Sequence, residues 1–152
     1  MIVRRIDADA LERKPFELWN VCINLVATEA YANLDEIQRV AHLAFWYDSE
    51  VQNGGHLQFF ENRGPAPISE TMAALTVLGA ECQRSVLQRA ARALASRERP
   101  RIKTADQYVE AALEGEFTEL DSAYYACEPS VPQHLQRYFE ENRAHFVEIT
   151  RG

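Results

Sequence analysis

The densest group of side chains able to move protons or bind metal lies in one stretch, Phe45-Trp46-Tyr47-Asp48-Ser49-Glu50-Val51-Gln52-Asn53-Gly54-Gly55-His56-Leu57-Gln58-Phe59-Phe60-Glu61-Asn62-Arg63-Gly64. Asp48, Glu50, His56 and Glu61 are the residue types of general acids, bases and metal ligands. If they lined an open pocket at the Asn53–Gln58 reversal, the chain would be a small helical enzyme. The same stretch also reads as architecture. Its first half is a buried helix, Asn53-Gly54-Gly55 tolerates the left-handed backbone that closes a helix, and Phe59 and Phe60 fold back onto the core. Asn53 and Gln58 would then satisfy loose backbone groups at the reversal. Most residues of the stretch are inert, so the architectural reading leads.

The remaining reactive residues form no catalytic or metal constellation. His42, His56, His134 and His145 include no His-x-x-x-His or Glu-x-x-His pair, and a lone histidine beside a helix face is usually a hydrogen-bonded structural residue. There is no phosphate loop, nucleophile elbow or zinc spacing. No catalytic residue, metal site or cofactor is therefore assigned. Cys22, Cys82 and Cys127 are odd in number, far apart and set among apolar residues. They read as reduced, buried thiols of a cytoplasmic protein rather than a disulfide framework. The first residues lack the pattern of a signal peptide, and no apolar run is long enough to span a bilayer.

The elements that must carry these residues are helical. Apolar residues recur at steps of three and four from Pro15 onward, which predicts an all-α domain over 15–150 of about six to seven helices, preceded by an arm over 1–14 that is either loosely held or a short edge segment. Asp35 with Gln38, Thr104 with Gln107 and Ser130 with Gln133 have capping-box spacing. The helix over 35–52 carries Ala41, Ala44, Trp46 and Tyr47, is apolar nearly all round, and belongs at the centre of the fold. A short turn over Leu57 to Asn62 follows it. The long pattern from Met72 to Leu94 contains Gly79, where a break or a close helix contact is expected. The last helix is read from Leu135 through Tyr138, Phe139 and Phe146 to Ile149.

The net charge of −7 is unevenly spread. Residues 81–103 hold 7 bases and 2 acids, whereas residues 104–152 hold 10 acids and 3 bases. Such a chain repels phosphate overall, so a basic protein partner is favoured over nucleic acid or membrane. The basic run from Arg84 to Lys103 lacks aromatic stacking residues, and pairing with acids of this chain or of a second copy suits it better. Homo-oligomerisation stays open. Glu110, Glu114, Glu116, Glu119, Asp121, Glu140 and Glu141 are the candidate partner-binding acids. On a helix, neighbours three or four residues apart lie about 5–6 Å from each other, comparable to successive phosphates on a strand.

The pattern Glu50-Val-x-Asn53-Gly54-Gly55-x-x-Gln58-Phe59-Phe60-x-Asn62-x-x-Gly64, with Leu78-Gly79-Ala80 and Tyr138-Phe139-Glu140-Glu141-Asn142 further on, resembles the bacterial DNA-mimic protein family over approximately residues 15–150. His56 departs from that pattern, which would have an aromatic or apolar residue there. The resemblance implies an all-helical, non-enzymatic binding protein that presents acids in place of DNA phosphates to a basic partner such as a transcription regulator. It makes Asn53, Gly54, Gly55, Gln58, Phe59, Phe60 and Gly64 structural, since none of them mimics a phosphate. A shape-based interaction or immunity-type module is the remaining alternative.

Overall fold

The computed structural model describes residues 1–152. It contains eight α-helices and one two-stranded parallel sheet. In chain order these are β1 (Arg4–Asp7), α1 (Ala8–Arg13), α2 (Glu17–Thr28), α3 (Glu36–Arg63), α4 (Ile68–Leu78), α5 (Glu81–Ala95), α6 (Ala105–Glu114), α7 (Thr118–Tyr125), α8 (Val131–Glu141) and β2 (Val147–Thr150). All three capping boxes form, at Asp35/Gln38, Thr104/Gln107 and Ser130/Gln133. Each satisfies two otherwise orphaned N–H groups at the start of its helix.

The middle of the fold is α3, as its apolar girth predicts, packed against α2, α4, α7 and α8. Ala41, Ala44, Tyr47 and Val51 are fully enclosed, together with Leu25, Leu75, Leu87 and Leu135 from the surrounding helices. Each buried leucine contributes roughly 1.5–3 kcal/mol through removal of apolar area from water. Gln38 is also fully buried. Its side-chain amide donates to the carbonyls of Ile2 and His145 while its oxygen accepts the Asp35 N–H. One residue thus closes its own helix cap and ties both chain ends to α3.

Local expectations are met in part and corrected in part. Of the two readings of the leading residues the edge segment holds: they form β1, paired in parallel with β2 in the register Arg4 to Val147 through Asp7 to Thr150, and an unexpected helix, α1, follows. The last helix stops at Glu141, because the chain turns at Asn142 and continues through a short 3-10 turn into β2. The apolar spacing of Phe146 and Ile149 is therefore not helical. The break at Gly79 is real: this glycine is left-handed at φ 76° and closes α4 before α5 begins. The glycine pair breaks the helical run as expected: Gly54 and Gly55 both leave helical φ and ψ, and a second helical stretch then continues to Arg63, one residue past the turn expected at Leu57 to Asn62.

The cysteines form a further correction. Cys82 near the start of α5 and Cys127 just beyond α7 are joined by a disulfide, with Cα atoms 5.7 Å apart across 45 residues of sequence. Cys82 is exposed and Cys127 buried. Only the packing of α7 on α5 brings the two together. Cys22 alone is a free, buried thiol, and burial pushes its pKa up to about 12. No helix is long and apolar enough to cross a membrane.

Candidate functional site

The kink in α3 is built from its own side chains. Gly54 has φ −152° and ψ 19°, and Gly55 has φ 73° and ψ −172°. Gly55, not Gly54, therefore occupies the region that excludes ordinary residues. Around the kink, the buried Glu50 carboxylate accepts from Gln58 at 3.0 Å, Asn62 at 2.7 Å and Arg63 at 3.2 Å. Asn53 donates to the Gln58 side-chain oxygen at 3.0 Å, so these two polar residues serve each other and Glu50 rather than loose backbone. The Arg63 guanidinium also lies over the Trp46 ring, 4.1 Å from its centre. Phe59 and Phe60 are buried, as expected. Gly64, with φ 71°, closes the helix by donating its N–H to the Phe60 carbonyl.

Beside the kink, His56 is fully enclosed among Tyr47, Phe60 and Tyr124. It fills an aromatic slot and needs polar partners as the price of burial. Asp121, on α7, accepts from the His56 backbone N–H at 2.8 Å and from ring Nδ1 at 2.6 Å, both at Oδ1. A carboxylate only accepts, so Nδ1 carries the proton; in the neutral ring, Nε2 then accepts from the Tyr47 hydroxyl at 2.7 Å. Tyr124 donates to Asp48 at 2.5 Å. Burial raises the Asp48 pKa, and hydrogen bonds from Tyr124 and Gln52 oppose that rise. Burial also lifts Tyr47 and Tyr124 well above the ordinary tyrosine value, with nearby aspartates adding to it.

These acid–base candidates do not form an open reactive centre. Both ring nitrogens of His56 are occupied and the ring is inaccessible, while Glu50 is consumed by the clamp. No three His, Cys, Asp or Glu side chains come together as a metal-binding group.

A cavity of about 270 Å³ opens on the other side of Asp121. It lies between the α3 kink, the loop joining α5 to α6, α6 itself and the start of α7. Gly54, Leu57, Ala111 and Phe117 contribute its less polar wall, with Glu61, Glu110, Glu114, Glu116 and Asp121 facing Arg97, Arg99 and Arg101 around it. Two of the arginines are neutralised locally. Glu116 binds both Arg99 and Arg97, the latter at 3.1 Å, and Glu114 stands 3.6 Å from Arg97. Desolvation raises the Glu116 pKa, but the hydrogen bonds and charges of Arg99 and Arg97 outweigh it and hold the carboxyl below its usual value.

Four of the seven acids singled out in the sequence, Glu110, Glu114, Glu116 and Asp121, thus share one cavity. Glu119 is exposed on α7 outside the cavity lining. Glu140 and Glu141 lie on α8, paired with Arg143 at 2.7 Å and Arg137 at 3.8 Å. Glu140 instead borders an apolar groove that includes Phe16, Trp19 and Phe139. Glu61, noted in the sequence only as an acid–base candidate, also lines the cavity. Its place next to the kink was the sole available clue.

The family model described as DMP19-like protein matches residues 32–142. This chain belongs to the DMP19-like family. The matched span runs from just before α3 to just after α8, so the DMP19-like region holds the kink, the Glu50 clamp and the whole cavity. No curated protein and no solved structure matched the chain.

Proposed function

We propose that this DMP19-like protein is a non-enzymatic binding protein whose acidic surface around α6 and α7 receives a basic protein, in the manner of a DNA mimic. The observation that carries this reading is that Glu61, Glu110 and Glu119 have no salt-bridge partner while Arg97 and Arg99 are already taken. Glu116 and Glu114 hold those two arginines, which quenches part of the basic run but also withdraws these two acids from a partner. A basic protein, rather than nucleic acid, complements such a surface. The acids of α8 contribute less, since Arg137 and Arg143 already pair with them.

Individual exposed ion pairs are worth about 0–1 kcal/mol, so useful affinity needs several acting together, and it must fall with salt. The test is capture of partners from native cell lysate at low and high salt. A basic protein retained at low salt, released at high salt and lost on changing Glu110, Glu114 and Glu119 to Gln supports the reading. Capture that ignores both salt and these changes overturns it.

A further inference from the structure

We propose that the cavity at the α3 kink is a receptor for one cationic side chain, an arginine of the protein partner. This rests on the acidic-surface reading and deepens it, since it moves the centre of binding from an open face into a concave site. At about 270 Å³ the cavity sits at the low end of binding pockets, which run about 300–1,000 Å³, and has room for a single side chain. Its charges come from separate elements: Glu61 from α3, Glu110 from α6 and Asp121 from α7. With Arg97 and Arg99 engaged by Glu116 and Glu114, Arg101 is the one arginine of the cavity lining left without a carboxylate partner, against the three carboxylates of Glu61, Glu110 and Asp121.

Asp121 gives both of its hydrogen bonds with His56 through Oδ1, which leaves Oδ2 free to accept. The local field agrees with this geometry. Burial raises the pKa of Tyr108 on α6, and the negative charges of Glu61 and Asp121 raise it further. Leu57, Ala111 and Phe117 supply apolar contact for an aliphatic stem. A guanidinium has five donors in a planar fork, so it can address carboxylates arriving from several directions, which a compact ammonium does less well.

The probe is a blocked alanine peptide with one central arginine, titrated into the full chain and followed by backbone amide resonances. The arginine peptide should perturb Gly54, Ala111 and Gly115. Its citrulline counterpart, equal in shape but uncharged, should not. Glu61→Gln with Glu110→Gln removes two carboxylates that have no partner in the fold, so stability should be unchanged while peptide affinity drops about tenfold, the combined loss of two weak ion pairs. Glu119→Gln should leave peptide binding unaltered. Equal binding of the citrulline peptide, perturbations away from the cavity, or unchanged affinity in the double variant overturns the proposal. Spermidine binding the cavity while the peptide does not would overturn the protein source of the cation. If the double variant still captures the salt-sensitive lysate partner, the cavity assignment fails and the broader acidic-surface reading survives. If the arginine peptide binds but no such partner exists, the reverse holds.

Discussion

Asp121 accepts two hydrogen bonds from one residue, His56, at 2.8 Å from the backbone N–H and 2.6 Å from ring Nδ1. The pair spans 65 positions of sequence and fastens α7 to the resumed half of α3. It also sets the edge of the cavity, because the aspartate that secures the buried histidine is one of the cavity's lining residues. Cavity wall and structural lock therefore share a side chain.

Asp121→Ala leaves the buried His56 ring and its N–H without an acceptor. Loss of a buried partner costs about 1–3 kcal/mol, so the variant should unfold at lower denaturant than the parent. Asp121→Asn keeps one acceptor and should lose less. Equal midpoints for parent and Asp121→Ala in urea titrations would show that the lock contributes nothing.

The two glycines of the kink should behave differently on substitution. A β-carbon at Gly54 would run into the Gln58 side chain, whereas at Gly55 it would meet the Asp121 carboxylate on a backbone already at φ 73°. Gly54→Ala should recover part of its stability when combined with Gln58→Gly but not with Gln58→Ala, because the Gln58 Cβ, 2.8 Å from the added carbon, is itself part of the obstacle and alanine retains it. Gly55→Ala should lose at least about 1 kcal/mol for its backbone conformation alone, with no such rescue. A double-mutant cycle on folding free energies measures the difference.

Reduction should weaken the fold. The Cys82–Cys127 bond closes a 45-residue separation containing α6, α7 and most of the cavity. By chain entropy such a link is worth about 2–4 kcal/mol. A dithiol reductant should lower the melting temperature of the parent but not of a Cys82→Ser, Cys127→Ser variant. Alkylation under native reducing conditions should reach Cys82 first and spare Cys22. An equal response of both proteins to reductant would refute the linkage.

Glu116 sets a pH dependence of definite sign. Its folded pKa lies below the ordinary value, so its contribution is present above that ordinary value and is lost as pH falls through the depressed one. Asp48, raised by burial, acts oppositely: its contribution is fullest below the ordinary value and is lost as pH rises through the raised one. Glu116→Gln should flatten the acid limb of a stability–pH profile, and Asp48→Asn should steepen it. Parallel profiles for all three proteins would exclude both roles.

Helix positions and caps were legible in the residues because they are local. A box such as Thr104 with Gln107 is complete within four residues, and the burial of Ala41, Ala44 and Tyr47 follows from spacing along one helix. The Asn53-Gly54-Gly55 break was equally readable, since glycine permits what other residues resist, although which glycine takes the positive φ depends on the surrounding side chains. The pairing of β1 with β2, the Cys82–Cys127 bond, the Asp121–His56 lock and the meeting of Glu61 with Glu110 all join distant segments. Periodicity reports which side of an element is apolar, but it carries no information about which other element will cover that side. For the acids, spacing placed Glu110 and Glu114 one helical turn apart and gave each a charge. Only the tertiary structure decided that Glu114 and Glu116 would meet Arg97 and Arg99, because charge pairing depends on distances that chain folding alone sets.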